Sequence, residues 1–364
     1  MSKSLYVDFH VIQTVPPSCI NRDDTGSPKT AIYGGTLRAR VSSQAWKKAM
    51  RDRFKELFTS NMLGYRTRKI NSLIIEKICA ENPDFATDAA EKVTSEILGL
   101  AGIKADAEKK DVLFFVSGLQ VETLARLAVE YRSDKTGKKE KEKIYKKRVE
   151  NALKENPSVD ILLFGRMAAN NPSLNYDAAA QVAHSISTHT ISNEYDYFTA
   201  VDDCTEDTGA GHIGTVEFNA STLYRYATVN VAELSCNLKA DELKLAVKGF
   251  ADAFIRSMPT GRQNTFANRT LPNIIYVTFR EDQPINLASA FEKPVFAGVG
   301  GGYIEKSGKA LVSEAQRIYR DYSAAPQKAW IVGDAEEGFA DKVTFAELLE
   351  EIAVGIDQYC AEGK

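Results

Sequence analysis

An α+β fold is predicted by three observations. At the start of the chain Leu5, Val7, Phe9 and Val11 alternate with Tyr6, Asp8 and His10, the pattern of a half-buried strand. Apolar residues then recur at helical spacing, first as Trp46, Met50, Phe54 and Leu57 and later, over about 241–258, as Leu243, Val247, Phe250 and Phe254. Three β-rich runs, 213–219, 223–231 and 274–279, complete the set. Strung together these give β-α-β-β-α-β, the ferredoxin-like or RNA-recognition-motif order. One long insertion, roughly 59–212, separates the first helix from the second strand.

Pro16-Pro17 is expected to end the first strand. A loop follows, then the glycine pair Gly34-Gly35, a short basic strand and the first helix. That helix begins after Ser42-Ser43, hydroxyl residues suited to accept bonds from its first free N–H groups. Opposite its apolar side lie Gln44, Lys48, Arg51 and Lys55, with Lys47 on the flank. Nine Lys/Arg stand against three Asp between Asn21 and Lys55, a local balance of +6 in a chain whose net charge is −3. A single phosphate needs one helix end and a lysine. Loop cations (Arg22, Lys29), strand arginines (Arg38, Arg40) and a polar helix face suit a string of phosphates. A solvated amphipathic helix is the plainer alternative, and composition leaves both open.

Inside the insertion, 71–80, 86–99, 111–131 and 143–154 carry helical spacing. Residues 132–148 hold nine cations and three anions with no apolar period before Ile144, which reads as a solvated, mobile run or as a transient nucleic-acid contact. The texture changes over 160–212, where Gly165-Arg166-Met167, His184, His189 and Tyr195-Asp196-Tyr197-Phe198-Thr199 fall. Aromatics beside turn-prone polar residues suit a projecting hairpin. Beyond 282 come a loop with Gly298, Gly300, Gly301 and Gly302 and two amphipathic helices, near 311–322 and 344–360. No internal repeat is visible.

At 364 residues and 44% apolar, the chain can bury a full core. The first residues carry Asp8 and His10 in their apolar run, unlike a secretion signal, and no window of eighteen uncharged apolar residues suits a membrane span. Five scattered cysteines without CxxC point to reduced thiols in a cytoplasm and away from a zinc ribbon. The glycine-rich loop places Tyr303 where a dinucleotide motif needs its last glycine, and Gly308-Lys309 is followed by Ala310 rather than the Ser/Thr of a P-loop. His184 and His189 lack a companion set of metal ligands. Asp23-Asp24 could hold a divalent cation and cut RNA, or could pair with arginine and shape a turn. The stacking aromatics of the RNA-recognition consensus are absent from the inner strands, so RNA held here would meet the loop and helix rather than that sheet face.

The most specific residues are Pro17-Ser18-Cys19-Ile20-Asn21-Arg22-Asp23-Asp24, Ala31-Ile32-Tyr33-Gly34-Gly35, Arg40-Val41-Ser42-Ser43-Gln44 and Lys48-Ala49-Met50-Arg51. Gly165-Arg166-Met167-Ala168, Thr188-His189, Phe198-Thr199-Ala200-Val201-Asp202-Asp203, His212-Ile213-Gly214-Thr215, Tyr224-Arg225-Tyr226-Ala227 and the run 286–293 continue the pattern. Together they resemble the CasC (Cse-type) backbone subunit of the type I-E CRISPR Cascade. The match covers the whole chain in order and is weakest in the middle of the insertion and the last fifty residues.

The resemblance implies an RRM-type palm (1–58 and 213–285), helical fingers (59–180), a thumb hairpin (181–212) and C-terminal elements (286–364) packing on the palm. Copies stack head to tail along the crRNA, beside large, small, guide-end-capping and repeat-processing subunits, and meet target DNA through the RNA–DNA hybrid. Neither nucleic acid is cut, and no cofactor, metal or catalytic residue is implied. Its implied RNA contacts are Asn21, Arg22, Lys29, Arg40, Ser42, Gln44, Lys47, Lys48, Arg51 and Arg166. Met167 resembles the residue that wedges against a base, and Tyr197, Phe198 and Thr199 fall where the thumb presses into the guide. The family commonly has Trp-Phe at the thumb; Tyr197 departs but keeps a flat ring. A metal-dependent ribonuclease using Asp23 or Asp24, and a lone single-strand binder, are the competing readings.

Overall fold

The computed structural model describes residues 4–103, 113–168, 170–200, 204, 213–334 and 338–362. In chain order its elements are β1 (Tyr6–Ser18), β2 (Thr30–Tyr33), β3 (Thr36–Val41), α1 (Ser43–Leu57), β4 (Gly64–Thr67), α2 (Ile70–Glu81), α3 (Thr87–Leu100), β5 (Phe114–Ser117), α4 (Gly118–Ser133), α5 (Lys138–Lys154) and α6 (Val159–Phe164). There follow β6 (Ala180–Val182), β7 (Ser185–Ser187), β8 (Glu194–Thr199), β9 (Ile213–Asn230), α7 (Val231–Ser235), α8 (Ala240–Arg256), α9 (Gln263–Phe266), β10 (Ile274–Arg280), α10 (Ile304–Asp321), β11 (Lys328–Gly333), β12 (Asp341–Lys342) and α11 (Phe345–Glu362). The chain divides into two compact units, a sheet unit (Met1–Arg53 with Ala180–Lys364) and a helical unit (Phe54–Ala179). No described helix is long and apolar enough to cross a membrane.

The sheet unit is built on ten strands whose main path runs β12-β11-β10-β1-β9-β7-β3-β2, with β6 and β8 also paired to β9. β1 lies between β10 and β9, antiparallel to both. With α1 after β1 and α8 between β9 and β10, the ferredoxin-like order holds, but the second strand is not the one the sequence suggests. The runs 213–219 and 223–230 form one continuous strand, β9, with Val231 opening α7, and the short β7 supplies the second position, antiparallel to β9. Three residues are too few to show an alternating pattern. The outer end of β9 instead pairs with β8, from Glu194↔Phe218 to Thr199↔Ile213, as an exposed hairpin.

β1 is also buried on both faces rather than one. Val7, Phe9 and Val11 face α8, where Phe9 lies 5.6 Å from Phe250 and 6.1 Å from Phe254. On the other face His10 sits among Tyr224, Tyr226 and Tyr276, with ring centroids 5.2 to 6.3 Å away. Leu287, Phe291, Leu311 and Ala315 close over that face, which an RNA-recognition motif would leave open. Pro16 and Pro17 do not end the strand. Past Ile12 it pairs only with β9, so missing N–H groups are tolerated at the register shift between Val15 and Ser18.

Gly34 and Gly35 form the turn of a β2–β3 hairpin, both at positive φ. At Gly34 the backbone of Glu292 comes so close that an added Cβ would lie 1.7 Å from its carbonyl oxygen. In α1, Trp46 and Met50 are buried as the spacing predicts. Trp46 donates from Nε1 to Ser185 Oγ (3.0 Å), and Arg53 pairs with Asp252 (3.0 Å). The C-terminal helices begin earlier than expected for the first, at Ile304, and at Phe345 for the second.

The helical unit packs α2, α3, α4 and α5 around Ile74, Ile78, Ile97, Leu124, Val149 and Leu153. Its expected helix over 111–131 is a strand and a helix: β5 pairs with β4, then Ser117 and Gln120 close a capping box that starts α4. Residues 111 and 112 lie outside the described residues. α5 begins at Lys138, inside the charge run, because Tyr145 and Val149 give it a buried side, with Tyr145 edge-on to Tyr131 at 5.0 Å. The lysine-rich run is therefore helical from Lys138 onward.

Candidate nucleic-acid interface

The expected contact residues fall into two groups, one in each unit. In the sheet unit, loop 19–29 is a self-supporting turn. Asp23 Oδ1 accepts from Thr25 N–H (2.9 Å), Thr25 Oγ1–H (2.7 Å) and Ser27 N–H (3.0 Å). These bonds, the Thr25 hydroxyl foremost, hold the exposed Asp23 carboxyl below the usual carboxylate range. Asp23 thus shapes the turn through Thr25 and Ser27. Among the described residues no three His, Cys, Asp or Glu side chains gather as a metal site.

Asn21 ties this loop to the helix: its Oδ1 accepts the backbone N–H of Ser42 (2.9 Å). Ser42 is buried and its hydroxyl accepts from Ala45 N–H (3.3 Å), so it caps α1. Arg22, Gln44 and Lys48 are exposed, and Lys29, Arg40, Lys47 and Arg51 are half-buried. Lys48 forms an i,i+4 pair with Asp52.

The two strand arginines part company. Arg38 is fully buried, donating to Thr36 Oγ1 (2.8 Å), Ser187 O (2.9 Å) and Phe291 O (3.0 Å), and belongs to the fold. Arg40 stays at the surface, with Nε donating to Thr30 O (3.0 Å) and Nη1 lying 3.1 Å from His184 Nδ1. Lys29 and Arg40 line one cleft with Asn21.

In the hairpin every residue of β8 is exposed, Tyr197 at 62% and Phe198 at 44%. The Phe198 ring lies across its cross-strand partner Gly214, where a Cβ would come within 2.4 Å of it. Alternation sends Tyr197 and Thr199 to the opposite face. Val201, Asp202, Asp203 and His212 lie outside the described residues.

In the helical unit Arg166 corrects the sequence reading. It is 4% exposed, with N–H groups donating to Leu174 O (2.9 Å), Phe115 O (3.2 Å), Gln120 Oε1 (3.3 Å) and Leu153 O (2.6 Å). Four of its five N–H donors are thus spent on the protein itself, in a site closed to solvent. Burial pushes its pKa down to about 10, still charged at neutral pH. Ala168, two residues on, is buried and its N–H donates to Asn175 Oδ1 (2.7 Å). Met167 stands between these anchors at 79% exposure. Arg166 and Ala168 thus present the methionine.

One segment escaped sequence reasoning. Gly261 backs onto the chain at Cys19 and Ile20, where a Cβ would sit 2.4 Å from Ile20 O, and it lines an open depression of about 530 Å³ with Asn21, Arg22, Asp23, Asp24, Thr25 and Gly26. Arg262 (φ 47°) and Ala267 (φ 48°) hold left-handed conformations on either side of α9, a strain that non-glycine residues rarely carry. Its exposed Gln263, Asn264 and Thr265 follow a Thr-Gly pair that was the available signal.

A family model described as CT1975-like protein matches residues 7–354. A chain of a solved "CRISPR RNA-guided surveillance complex, pre-nicking" is 31% identical, with 96% of this chain and 100% of that chain covered at a TM-score of 0.82. A chain of a second structure, "CRISPR RNA-guided surveillance complex", is 28% identical, with 96% and 99% covered and a TM-score of 0.62. No curated protein matches.

Proposed function

The chain belongs to the CT1975-like protein family, and on that premise we propose that it is the guide-RNA-binding backbone subunit of a CRISPR surveillance complex, of the CasC, type I-E kind. Similarity along nearly the full length to chains of RNA-guided surveillance complexes supports a role in such an assembly. Arg22, Lys29, Arg40 and the polar side of α1 take successive phosphates, which gives grip without sequence preference. Met167 and the β8 aromatics displace bases at intervals, each stack contributing about 1–3 kcal/mol. Copies join head to tail through a heterologous interface that propagates along the RNA. The subunit holds RNA and cuts nothing.

The observation that carries this reading is the fixed, two-faced α1. Trp46 and Met50 are locked in the core while Gln44 and Lys48 are exposed on the other side. The test is to co-express the chain with a CRISPR array carrying unrelated spacers. Spacer RNA should copurify whatever its sequence, and Lys47→Glu with Arg51→Glu should lower its recovery equally for every spacer. Recovery that depends on spacer sequence, or a map of the complex with the α1 polar face turned to bulk solvent, would overturn the proposal.

A further inference from the structure

His184 lies on the chain between β6 and β7, one residue before β7 begins, and at the surface. Its Nδ1 is 3.1 Å from Arg40 Nη1. A guanidinium only donates, so Nδ1 is the acceptor and the ring proton sits on Nε2. Arg40 is gripped a second time, by Thr30 O on its Nε (3.0 Å), and the Arg40 backbone N–H donates to Lys29 O (2.9 Å). The guanidinium is therefore held at two corners before any ligand arrives, with Nη2 not among the atoms held. Lys29 lines the same cleft as Arg40.

We propose that Lys29, Arg40 and His184 form one phosphate seat, in which the imidazole fixes the arginine fork through Nδ1 and donates its own Nε2–H to the nucleic acid. This rests on the RNA-binding reading above and adds to it a neutral histidine as a direct contact. The other two histidines among the described residues are buried, and His189 has both ring nitrogens engaged, by Thr190 O and by Thr222 N–H. The charges that face His184 are Arg40, from β3, and Lys29, from the loop before β2; with burial, which is the larger effect, they keep the ring neutral near pH 7. A neutral ring has two consequences. It can accept from Arg40, and its loss removes a hydrogen bond without removing a counterion-releasing charge. Pre-ordering the fork also lowers the entropy cost of a bidentate phosphate contact.

The test measures affinity of the purified chain for an unstructured single-stranded RNA of guide length at pH 7.5 across a salt series. His184→Ala is expected to weaken binding about 5- to 10-fold with the log–log salt slope unchanged, the scale of one lost hydrogen bond. Arg40→Gln should weaken it and flatten the slope by about 0.7, the value for one phosphate contact on a single strand. His184→Asn, whose Oδ1 mimics Nδ1, should keep the fork and lose only the donor, falling between His184→Ala and wild type. Combined with Arg40→Gln, His184→Ala should cost less than it does alone. Wild-type RNA binding with His184→Ala within 1.5-fold of it overturns the seat and leaves the RNA-binding reading standing. Absence of RNA binding by the wild type overturns both. Unchanged thermal unfolding of His184→Asn shows that its affinity change is not a folding defect, whereas a melting loss matching the affinity loss assigns the residue a structural role and overturns the seat.

Discussion

The Arg225 guanidinium, from the central strand β9, lies 3.8 Å from the centroid of the Trp46 ring on α1. Phe254 of α8 lies on it too, at 4.7 Å. Arg225 is 1% exposed; its Nη1 donates to Gln13 Oε1 and its Nη2 to Phe254 O. A buried cation thus takes the place of an apolar plug between the sheet and two helices. Burial pushes its pKa down to about 9, which leaves it charged at neutral pH. Its Nε–H has no partner among the described residues. The polar face of α1 is aimed by this contact and by the Trp46–Ser185 bond.

Arg225→Lys should therefore loosen α1 at its root. The ammonium cannot stack on Trp46 as a planar fork does or reach both acceptors, and an acceptor left unpaired in the core costs about 1–3 kcal/mol. The expected drop in unfolding free energy is about 2 kcal/mol by chemical denaturation, a scale set by the same penalty. A variant as stable as wild type would mean the stack holds nothing.

The pH dependence of stability is a contest between neighbours on β1. Burial, with Arg280 adding, lowers the His10 pKa to about 3, while burial raises that of Asp8 to about 6. Below pH 6.5 the unfolded chain takes up a proton that buried His10 refuses, so this contribution falls as pH drops toward 3. Asp8 acts in the opposite sense: its contribution is full below the unfolded value of 3.8 and is lost as pH rises through about 6. Between pH 4 and 6 the two offset one another. In Asp8→Asn, the amide can accept from Ile285 N–H and donate to the Tyr226 hydroxyl, replacing the bonds Asp8 makes at 2.8 and 3.1 Å. That variant should lose stability more steeply than wild type on acidification from pH 6 to 4. Parallel stability curves would contradict the assignment.

Met167→Ala and Arg166→Ala should separate the wedge from its mount. The methionine is exposed, so its loss should shift stability by less than about 0.5 kcal/mol while making the displaced bases of a bound guide protected in chemical probing. Arg166 serves three backbone carbonyls and Gln120, so its removal should cost about 3 kcal/mol or more of the helical unit. Equal stability losses for both would refute the division of labour.

Charge reversal on α1 should leave a salt signature. Each phosphate contact on a single strand adds about 0.7 to the log–log slope, so Lys47→Glu with Arg51→Glu should reduce it by about 1.4 or more. An unchanged slope would place the RNA elsewhere.

Magnesium should produce no cleavage of guide or of complementary RNA by the assembled complex. Asp23 spends one oxygen on three bonds that build its own turn. Regularly spaced cuts that vanish in Asp24→Ala would make the chain a ribonuclease.

Local periodicity decided what the sequence could reveal. The apolar side of α1, its Ser42 cap, α8, β10 and the exposed aromatic strand depend on residues a few positions apart, and they are found where spacing put them. Strand pairing is non-local: nothing in 185–187 announces a central sheet position, and nothing near 219 shows that β9 runs on without a break. The fate of each arginine was equally hidden. Arg38, Arg166 and Arg225 are written like Arg22 and Arg40, yet the first three are buried where acceptors distant in sequence (Ser187 and Phe291, Phe115 and Leu153, Gln13 and Phe254) meet their guanidinium groups. A guanidinium can leave water only where carbonyls converge on it. The sequence by itself determined that positive charge gathers around α1; only the tertiary structure decided which of those charges reach the surface.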